Sequence, residues 1–300
     1  MSAASPWVRI VVPSLDQGRF LRAALESLLA QDYPALEVVV RDGGSTDETL
    51  DVLAGLRDDR LRWVSEPDEG QGDSILKGLA APGAPYAGWG WLASDDLLST
   101  PRALSLLVER GLAAGADVAY GAARYVDEQG RPLGPYPVRP VTREALRGGS
   151  PICQPTALIR REASQRAGGL RPGWRFILDY DLWLRLHDAG ARFVVLPELL
   201  GHYRLHPASK TSTLRATMYS EILTMFAERG ERPARALFEA AFDECVARPW
   251  FGDGAPGLPL RLLRRAGWEA ARVPALQAGL GRLLREPGPD VVRRLVTSGR

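Results

Sequence analysis

Cysteine is scarce in this sequence, with two in 300 residues, at Cys153 and Cys245. They form neither a zinc motif nor a disulfide framework, so they favour a reducing compartment. The sequence also lacks a run of about 18 apolar residues and a recognisable signal peptide, and we therefore predict no membrane-spanning helix. We expect a cytoplasmic protein.

An excess of charge of either sign is also missing. The chain has 38 basic and 36 acidic residues, which gives a formal net charge of +2. This balance provides no electrostatic reason to expect nucleic acid as a partner. The hydrophobic fraction of 45% and the charged fraction of 25% are ordinary for a globular protein. The length allows one large domain or two smaller ones.

In the first half of the chain, apolar segments of strand length alternate with segments of helical periodicity. The predicted strands are Arg9–Val12, Leu36–Val40, Leu61–Val64, Trp89–Leu92 and Val118–Tyr120. Such alternation is typical of a mostly parallel sheet with helices on both faces. Because parallel strands end at one edge, we expect the residues that follow them to gather there.

Local signals also predict three helix starts. Ser45 and Glu48 have the spacing of a capping box, and Asp73 is a candidate N-cap for a helix over 74–80. The pair Thr100–Pro101 is typical of an N-cap followed by the first turn of a helix.

The second half of the sequence is less regular. We predict a hairpin turn at 128–130, a loop over 132–151, strands over 154–159 and 193–196, short helices over 161–167 and 180–186, and helices from 214 onward.

Acidic residues follow several of the predicted strands. Asp95 and Asp96 come after the fourth strand, Asp42 after the second, and Asp68 after the third. Carboxylates at the carboxyl edge of a sheet suit Mg²⁺ or Mn²⁺ shared with substrate phosphates. Each of them taken singly is equally explained by a solvated turn or a helix cap.

Six motifs in sequence order resemble those of the family 2 glycosyltransferases of the GT-A fold, over roughly residues 7–212. They comprise the first strand with its Pro-containing loop, the segments 41–49 and 65–78, the pair Asp95–Asp96, and the segments 179–186 and 203–211. The resemblance implies an α/β fold of GT-A type, with a mostly parallel, Rossmann-like sheet flanked by helices and a C-terminal helical extension.

The resemblance also implies a domain organisation. The catalytic domain would span residues 1–212, with a nucleotide-sugar half over about 1–122 and an acceptor half over about 123–212. Residues 213–300 would form the helical extension.

The implied activity is metal-dependent, inverting transfer of a sugar. A manganese or magnesium ion would be bound by Asp96, helped by Asp95, with His206 as a further ligand or a phosphate contact. Such a cation lets negative charge develop on a diphosphate leaving group. Asp179 would be the general base that takes the proton of the acceptor hydroxyl as its oxygen attacks the anomeric carbon.

The resemblance further implies a set of residues that bind the donor. These are Pro13, Ser14, Asp42, Gly43, Asp68, Gly72, Asp73, Lys77 and Asp95. The Asp42 carboxylate can accept the imide N–H of uracil or thymine, so we expect a UDP- or dTDP-linked sugar. The acceptor would be an unidentified hydroxyl on a glycan, a lipid-linked molecule or a small molecule, in surface-polysaccharide or secondary-metabolite biosynthesis.

Structural explanations stay open for the same side chains. Asp42 fits a turn, Asp179 fits a helix N-cap, Lys77 fits a solvated helix charge, and His206 fits a structural histidine.

Other functions also stay open. Ala93 and Leu178 stand where relatives often carry polar or acidic residues, which allows an inactive module that binds a nucleotide sugar. A nucleotidyltransferase would need a Gly-rich, basic loop after the first strand, and Pro13–Gly18 is not one. Basic and apolar residues over 258–286 allow peripheral contact with the inner face of a membrane, packing on the catalytic domain, or a homodimer through 213–300.

Overall fold

The computed structural model describes residues 5–244 and Trp268. These residues form two compact units. The first comprises residues up to 142 together with 150–173 and 178–206, and the second comprises 143–149, 174–177 and the described residues from 207 onward. The predicted catalytic domain of 1–212 and extension of 213–300 stay predictions.

A mixed sheet forms the centre of the first unit. Its described strands are β1 (Val8–Ser14), β2 (Leu36–Asp42), β3 (Leu61–Ser65), β4 (Gly88–Trp91), β5 (Leu97–Leu98), β6 (Val118–Val126), β7 (Pro132–Pro135), β8 (Leu158–Arg160) and β9 (Phe193–Arg204). Their order is β3-β2-β1-β4-β8-β6-β9-β5, with β7 paired to β6. Strands β1 to β4 pair in parallel, as do β6 and β9, whereas β5, β7 and β8 pair antiparallel.

Helices connect these strands. In chain order they are α1 (Gly18–Leu29), α2 (Thr49–Gly55), α3 (Gln71–Ala80), α4 (Ala103–Leu106), α5 (Arg143–Arg147), α6 (Arg161–Arg166), α7 (Leu178–Asp188), α8 (Lys210–Thr213), α9 (Arg215–Glu228) and α10 (Arg235–Phe242). A π-helical segment, Leu107–Leu112, continues α4, and a 3₁₀ turn spans Gln154–Thr156. Helices α5, α8, α9 and α10 belong to the second unit.

The core of the first unit lies around the parallel strands. Every residue of β1 and β2 is buried, as expected for central strands covered on both faces. Helix α1 buries apolar side chains at helical spacing, among them Leu21, Ala24, Leu25 and Leu28.

A buried ion pair fixes the position of α3. The Arg9 guanidinium on β1 contacts the Glu37 carboxylate on β2, with an Nη2–Oε2 distance of 2.7 Å. Arg9 also donates to the carbonyl oxygens of Leu79 and Ala81, at 2.9 and 2.7 Å. These carbonyls lie at the C-terminal end of α3, where they lack partners within the helix.

In the second unit, Glu221 of α9 organises the segment that precedes α7 in the chain. Its buried carboxylate accepts hydrogen bonds from the backbone N–H groups of Arg175, Phe176 and Ile177, at 2.7, 2.8 and 3.2 Å. Hydrogen bonds to a charged acceptor are stronger than neutral ones, so they order this short segment.

The three predicted helix starts are wrong. Helix α2 begins at Thr49. Ser45 donates hydrogen bonds to Asp42 and does not cap this helix. Helix α3 begins at Gln71, so Asp73 lies within its first turn. Helix α4 begins only at Ala103. The cause in the first two cases is that loop carboxylates compete for the same backbone N–H groups.

Several other predictions are confirmed, with changed bounds. The turn over 128–130 joins the antiparallel strands β6 and β7, and 161–167 is helical over Arg161–Arg166. The predicted strand over 154–159 is wrong in its first half, which forms the 3₁₀ turn, and the strand β8 begins only at Leu158. The predicted loop over 132–151 is also wrong in part, because it contains β7 and α5. Among the described residues, no helix combines the length and apolar character needed to cross a membrane. Apart from Trp268, the segment 258–286 lies outside the described residues, as does Cys245.

Candidate active site

The loops that follow β1 and β2 are joined to each other by hydrogen bonds. Asp16, at a left-handed φ of 51°, donates its N–H to Ser45 Oγ at 2.7 Å and accepts the Thr46 N–H at 2.8 Å. The Gly18 N–H donates to Asp47 Oδ2 at 2.9 Å. These bonds hold both loops at the carboxyl edge of the sheet.

Sequence reasoning missed Asp16 and Asp47. Asp47 Oδ1 accepts the Thr49 N–H at 3.0 Å, and its hydrogen bonds lower its pKa despite the opposing effect of burial. The spacing Asp-x-Thr before a helix is typical of an Asx turn, and this signal could have identified Asp47.

Asp42 lies at the end of β2 with a fully engaged carboxylate. Its side chain is buried and accepts hydrogen bonds from the Gly44 and Ser45 N–H groups, at 3.2 and 3.0 Å, and from the Ser65 hydroxyl at 2.6 Å. The Ser45 hydroxyl donates to the other oxygen. Asp42 therefore organises its own loop, and its contact with a base stays a prediction.

Ser14, Gly43 and Asp68 come together beside Asp42. The Gly43 N–H donates to the Ser14 carbonyl at 2.9 Å, and a Cβ placed on Gly43 would lie 3.0 Å from Asp68 Oδ2. The Ser14 hydroxyl is buried without a hydrogen-bond partner in the described structure. Such an orphaned group is expected to bind a ligand or water. Pro13 is buried within β1.

Asp73 and Lys77 form an ion pair on α3. Lys77 Nζ lies 2.8 Å from Asp73 Oδ2, and this contact lowers the pKa of Asp73 and raises that of Lys77. An exposed pair of this kind adds little to stability. Lys77 lies in the last turn of α3, and its Nζ also donates to the Pro67 carbonyl at 3.4 Å, in the segment between β3 and α3.

The start of α3 also packs against the start of α7. A Cβ on Gly72 would lie 2.7 Å from Pro172 Cα and 3.1 Å from Leu178 Cδ2. Only glycine permits this approach, and Leu178 directly precedes Asp179.

Asp95 and Asp96 follow β4 and are fixed by Arg204, the last residue of β9. The Arg204 N–H donates to Asp96 Oδ1 at 2.8 Å, and Arg204 Nε donates to the Asp95 carbonyl at 2.7 Å. Burial and the neighbouring charge of Asp95 raise the pKa of Asp96 well above its usual value. The Arg204 guanidinium also donates to the Glu128 carbonyl at 2.6 Å, which links the acidic pair to the β6–β7 turn.

His206 faces Asp95. Its Nε2 lies 3.0 Å from Asp95 Oδ2, and its fully buried ring packs against Phe20 at a centroid distance of 4.7 Å. Arg19 Nη2 lies 3.3 Å from the other ring nitrogen, Nδ1. Because a guanidinium only donates, Nδ1 is the acceptor, and the proton on Nε2 points to Asp95.

These side chains fit a divalent cation that has few protein ligands. No group of three or more His, Cys, Asp or Glu side chains forms a metal site in the part of the chain described here. Asp95 and His206 present a carboxylate oxygen and an imidazole nitrogen 3.0 Å apart, which are donor types that would suit Mn²⁺ or Mg²⁺. Magnesium typically uses one or two carboxylates and completes its shell with water and substrate phosphates.

Asp179 lies in the first turn of α7 and is partly buried. Burial raises its pKa to about 6, although the nearby backbone N–H groups of Asp179 and Tyr180 and the Trp183 indole oppose the shift. A carboxylate with such a pKa is suited to accept a proton near neutral pH. Its position beside N-terminal N–H groups agrees with a partial capping role as well.

Two features connect Asp179 with the rest of the site. Trp91 at the end of β4 stacks on Trp183 of α7, at a centroid distance of 6.5 Å. The buried Cys153 thiol has a raised pKa, mainly through burial and further through the charges of Asp96 and Asp179. Asp96 and Asp179 therefore share one neighbourhood.

The family model for glycosyl transferase family 2 matches residues 9–167, which is more than half of the chain. The chain therefore belongs to glycosyl transferase family 2. The predicted membership of this family is confirmed.

Curated relatives agree with this membership. An uncharacterised glycosyltransferase of Nostoc sp. is 26% identical over 216 residues, 67% of this chain and 66% of the relative. Chondroitin synthase of Escherichia coli is 27% identical over 62% of this chain and 27% of its own length. The succinoglycan biosynthesis protein ExoO of Rhizobium meliloti is 33% identical over 43% of this chain and 36% of its own. The match thus spans less than two thirds of each of these relatives.

Solved structures show the fold. Residues 1–349 of TarS from S. aureus, in complex with UDP-GlcNAc, match with a TM-score of 0.60 and 17% identity, over 93% of this chain and 86% of that one. The mannosyltransferase PcManGT from Pyrobaculum calidifontis, in complex with GDP-Man and Mn²⁺, matches with a TM-score of 0.57 and 20% identity, over 99% and 89%. The predicted GT-A fold is confirmed.

Proposed function

We propose that this enzyme transfers a sugar from a nucleoside-diphosphate donor to an acceptor hydroxyl, with inversion at the anomeric carbon. The observation that carries the proposal is Asp179, a partly buried carboxylate whose pKa is raised to about 6 in the neighbourhood of Asp96. Inverting transfer needs one base of this kind and no covalent intermediate.

The donor would lie along the loops after β1, β2 and β3. The orphaned Ser14 hydroxyl offers a hydrogen bond to the nucleotide, and Lys77 offers a positive charge to the phosphates. We propose a UDP- or dTDP-linked sugar because Asp68 Oδ2, next to Gly43, can accept an imide N–H when Asp42 is engaged in its loop. Similar proteins bind UDP-GlcNAc and GDP-Man, so the nucleobase of the donor has to be identified by experiment.

We propose that Asp95 and His206 hold a manganese or magnesium ion. When bound, this ion supplies positive charge to the leaving diphosphate. To bind the ion through Nε2, the His206 ring would carry its proton on Nδ1 instead of Nε2. In that tautomer Nδ1 could no longer accept the hydrogen bond from Arg19. Asp96 accepts the Arg204 N–H and orders the loop behind Asp95, and direct binding of the ion by Asp96, as the sequence indicates, stays a prediction.

In the transfer step, the acceptor oxygen attacks the anomeric carbon while Asp179 takes its proton. The bond between that carbon and the diphosphate oxygen breaks, and its electron pair leaves with the nucleoside diphosphate. The transition state has oxocarbenium character, as in glycosidases. Names among the relatives, such as chondroitin synthase and succinoglycan biosynthesis protein, support an acceptor in polysaccharide biosynthesis.

A thermal-unfolding screen tests this proposal. UDP-, dTDP- and GDP-sugars are added with and without MnCl₂, and nucleoside diphosphate release is then measured for each donor. We expect one donor class to raise the midpoint only with Mn²⁺ and to be cleaved slowly, since a ligand of the native state stabilises it by mass action.

The variant Asp179→Asn provides the control. We expect it to keep the donor-dependent shift in midpoint and to lose transfer. The proposal fails if no donor raises the midpoint, or if the variant transfers sugar as fast as the wild type. Stabilisation without turnover in the wild type would instead indicate an inactive nucleotide-sugar-binding protein.

A further inference from the structure

Three tyrosines of the first unit form a cluster that the donor and metal assignments do not use. Tyr125 of β6 lies 5.1 Å from Tyr136, which follows β7, and 5.8 Å from Tyr203 of β9, measured between ring centroids. Tyr136 and Tyr203 are 6.0 Å apart. Each of the three is partly exposed, so the cluster is a surface rather than part of the core.

The cluster lies beside the residues assigned to the chemistry. Tyr203 is adjacent in sequence to Arg204, whose N–H is bound to Asp96. Tyr136 lies close enough to Asp179 for the charge of that carboxylate to raise its pKa, in addition to the larger effect of burial. The cluster therefore lies at the end of β9 that binds Asp96, within range of the Asp179 charge.

The cluster lies away from the first donor loop. In the sheet, β4 and β8 separate β6 from β1, so about 14 Å of sheet lies between the strand of Tyr125 and the first donor loop. Strand β8 runs antiparallel to both β4 and β6. Strand β6 therefore runs in the same direction as β4 and β1, and it ends at the same edge of the sheet. The cluster thus occupies the acceptor side of a common edge.

The hydroxyl groups of the cluster determine which acceptor suits it. Those of Tyr125 and Tyr136 make no hydrogen bond to any residue in the described part of the chain. An alkyl chain laid over these rings would bury phenol groups without partners, which costs free energy. A pyranose presents C–H groups to the ring faces and hydroxyls to the phenols, and so matches both parts of the side chain.

We propose that Tyr125, Tyr136 and Tyr203 form a carbohydrate subsite, and that the acceptor of this enzyme is a sugar whose reactive hydroxyl is directed to Asp179. This inference rests on the proposed function, because it assigns the acceptor of the same reaction.

Saturation-transfer NMR tests it on the full-length protein with UDP and MgCl₂, because Mg²⁺ is diamagnetic and does not broaden the signals of the probe. The probes are the methyl glycosides of glucose, galactose, mannose and N-acetylglucosamine, with octyl phosphate as a lipid-like probe. We expect at least one glycoside to receive saturation at its ring C–H protons, and octyl phosphate to receive none.

Substitutions then locate the binding. Tyr136→Leu and Tyr125→Leu keep apolar volume and remove the aromatic face, and each is expected to weaken glycoside binding about threefold to tenfold. Tyr86→Leu is the matched control, since Tyr86 is also partly exposed but packs on Arg9 and Arg161 at the amino end of β4. Tyr136→Phe and Tyr125→Phe serve if a leucine variant unfolds, and weaker binding is expected for them too, because they remove the phenol donors.

The outcomes separate this inference from the proposed function. If the wild type cleaves a nucleotide sugar but binds no glycoside, the inference is wrong and the proposed function stands. Binding that is equal in the wild type and the folded cluster variants, or that favours octyl phosphate, also overturns it. If no donor is bound or cleaved, the proposed function itself fails.

Discussion

At the scale of single residues, the pKa of Asp179 decides when the base is active. Burial raises this pKa to about 6, and a general base must be deprotonated to accept a proton. We therefore expect kcat/KM to be constant above about pH 7 and to fall about tenfold per pH unit below about pH 6. The measurement is nucleoside diphosphate release over pH 4.5–8.5.

A change in Trp183 provides the comparison for that profile. The Trp183 indole makes the smallest of the contributions that oppose the rise in the pKa of Asp179, and its Nε1 has no hydrogen-bond partner in the described structure, so Trp183→Phe is expected to move the falling limb only slightly to higher pH. A limb that stays near pH 4 in the wild type would contradict the assignment of Asp179.

A second residue-scale prediction concerns His206. The variant His206→Gln removes the imidazole that faces Asp95, so we expect at least about tenfold more Mn²⁺ to be needed for half-maximal activity. His187→Gln changes a histidine on α7 beside Asp188 and should leave the Mn²⁺ requirement unchanged. An equal effect of both changes would show that His206 acts through the fold alone.

Residue types could be predicted from the sequence more readily than their partners. Asp42, Asp95 and Asp179 all lie at the strand edge or the helix start where the pattern predicts them. Their environments differ, because Asp42 is engaged by its own loop whereas Asp95 faces a histidine in the segment after β9. Such partners depend on contacts between residues more than 100 positions apart, which spacing does not encode.

At the scale of elements, the contact of α3 with the start of α7 is sensitive to substitution. A Cβ on Gly72 would meet the backbone of Pro172 at 2.7 Å, and backbone cannot yield as a flexible side chain does. We expect Gly72→Ala to lower the free energy of unfolding by about 1–3 kcal/mol, and to lower kcat/KM because Leu178 precedes Asp179. Urea unfolding and donor cleavage are the measurements.

Gly55→Ala is the matched control for this change. Gly55 is the last residue of α2, and its nearest neighbour would be the flexible end of Arg22 at 3.5 Å. Alanine there is expected to be neutral or to stabilise by up to about 1 kcal/mol. Equal stability and activity of the two variants would show that α3 and α7 do not need close contact.

Strands could be predicted from the sequence better than helix starts. The apolar runs of β1 and β2 lie on the predicted positions because burial on both faces requires continuous apolar residues. The first turns of α2 and α3 are displaced because Asp42 and Asp73 bind loop N–H groups. Several carboxylates compete for few donors, and the sequence alone does not rank them.

At the scale of the whole molecule, the order of motifs predicts that the strand ends converge, and this holds for β1 to β4. The long-range pairing of β6 with β9, and the insertion of β8 between β4 and β6, could not be predicted. These pairings join segments far apart in sequence, and they are decided by which faces remain to be buried after the parallel strands have formed.

The carboxylates of the molecule divide into two groups that act oppositely on stability. Hydrogen bonds lower the pKa values of Asp47 and Asp58, so each stabilises the fold above about pH 4, and this contribution is lost as the pH falls through the lowered pKa. Burial raises the pKa of Asp179 to about 6, so its ionisation destabilises the fold above that pH, and the penalty disappears below about pH 4.

We therefore expect the thermal midpoint of the metal-free protein to be highest between about pH 4 and pH 6. Asp179→Asn should raise the midpoint at pH 8 relative to the wild type and have little effect at pH 4, with a gain on the order of 2 kcal/mol. Asp47→Asn should instead lower the midpoint at pH 6 and converge with the wild type below pH 3. Calorimetry of the three proteins from pH 3 to pH 8 measures these differences. If Asp179→Asn is less stable than the wild type at pH 8, then the ionised Asp179 carboxylate stabilises the folded state, and its pKa is not raised by burial.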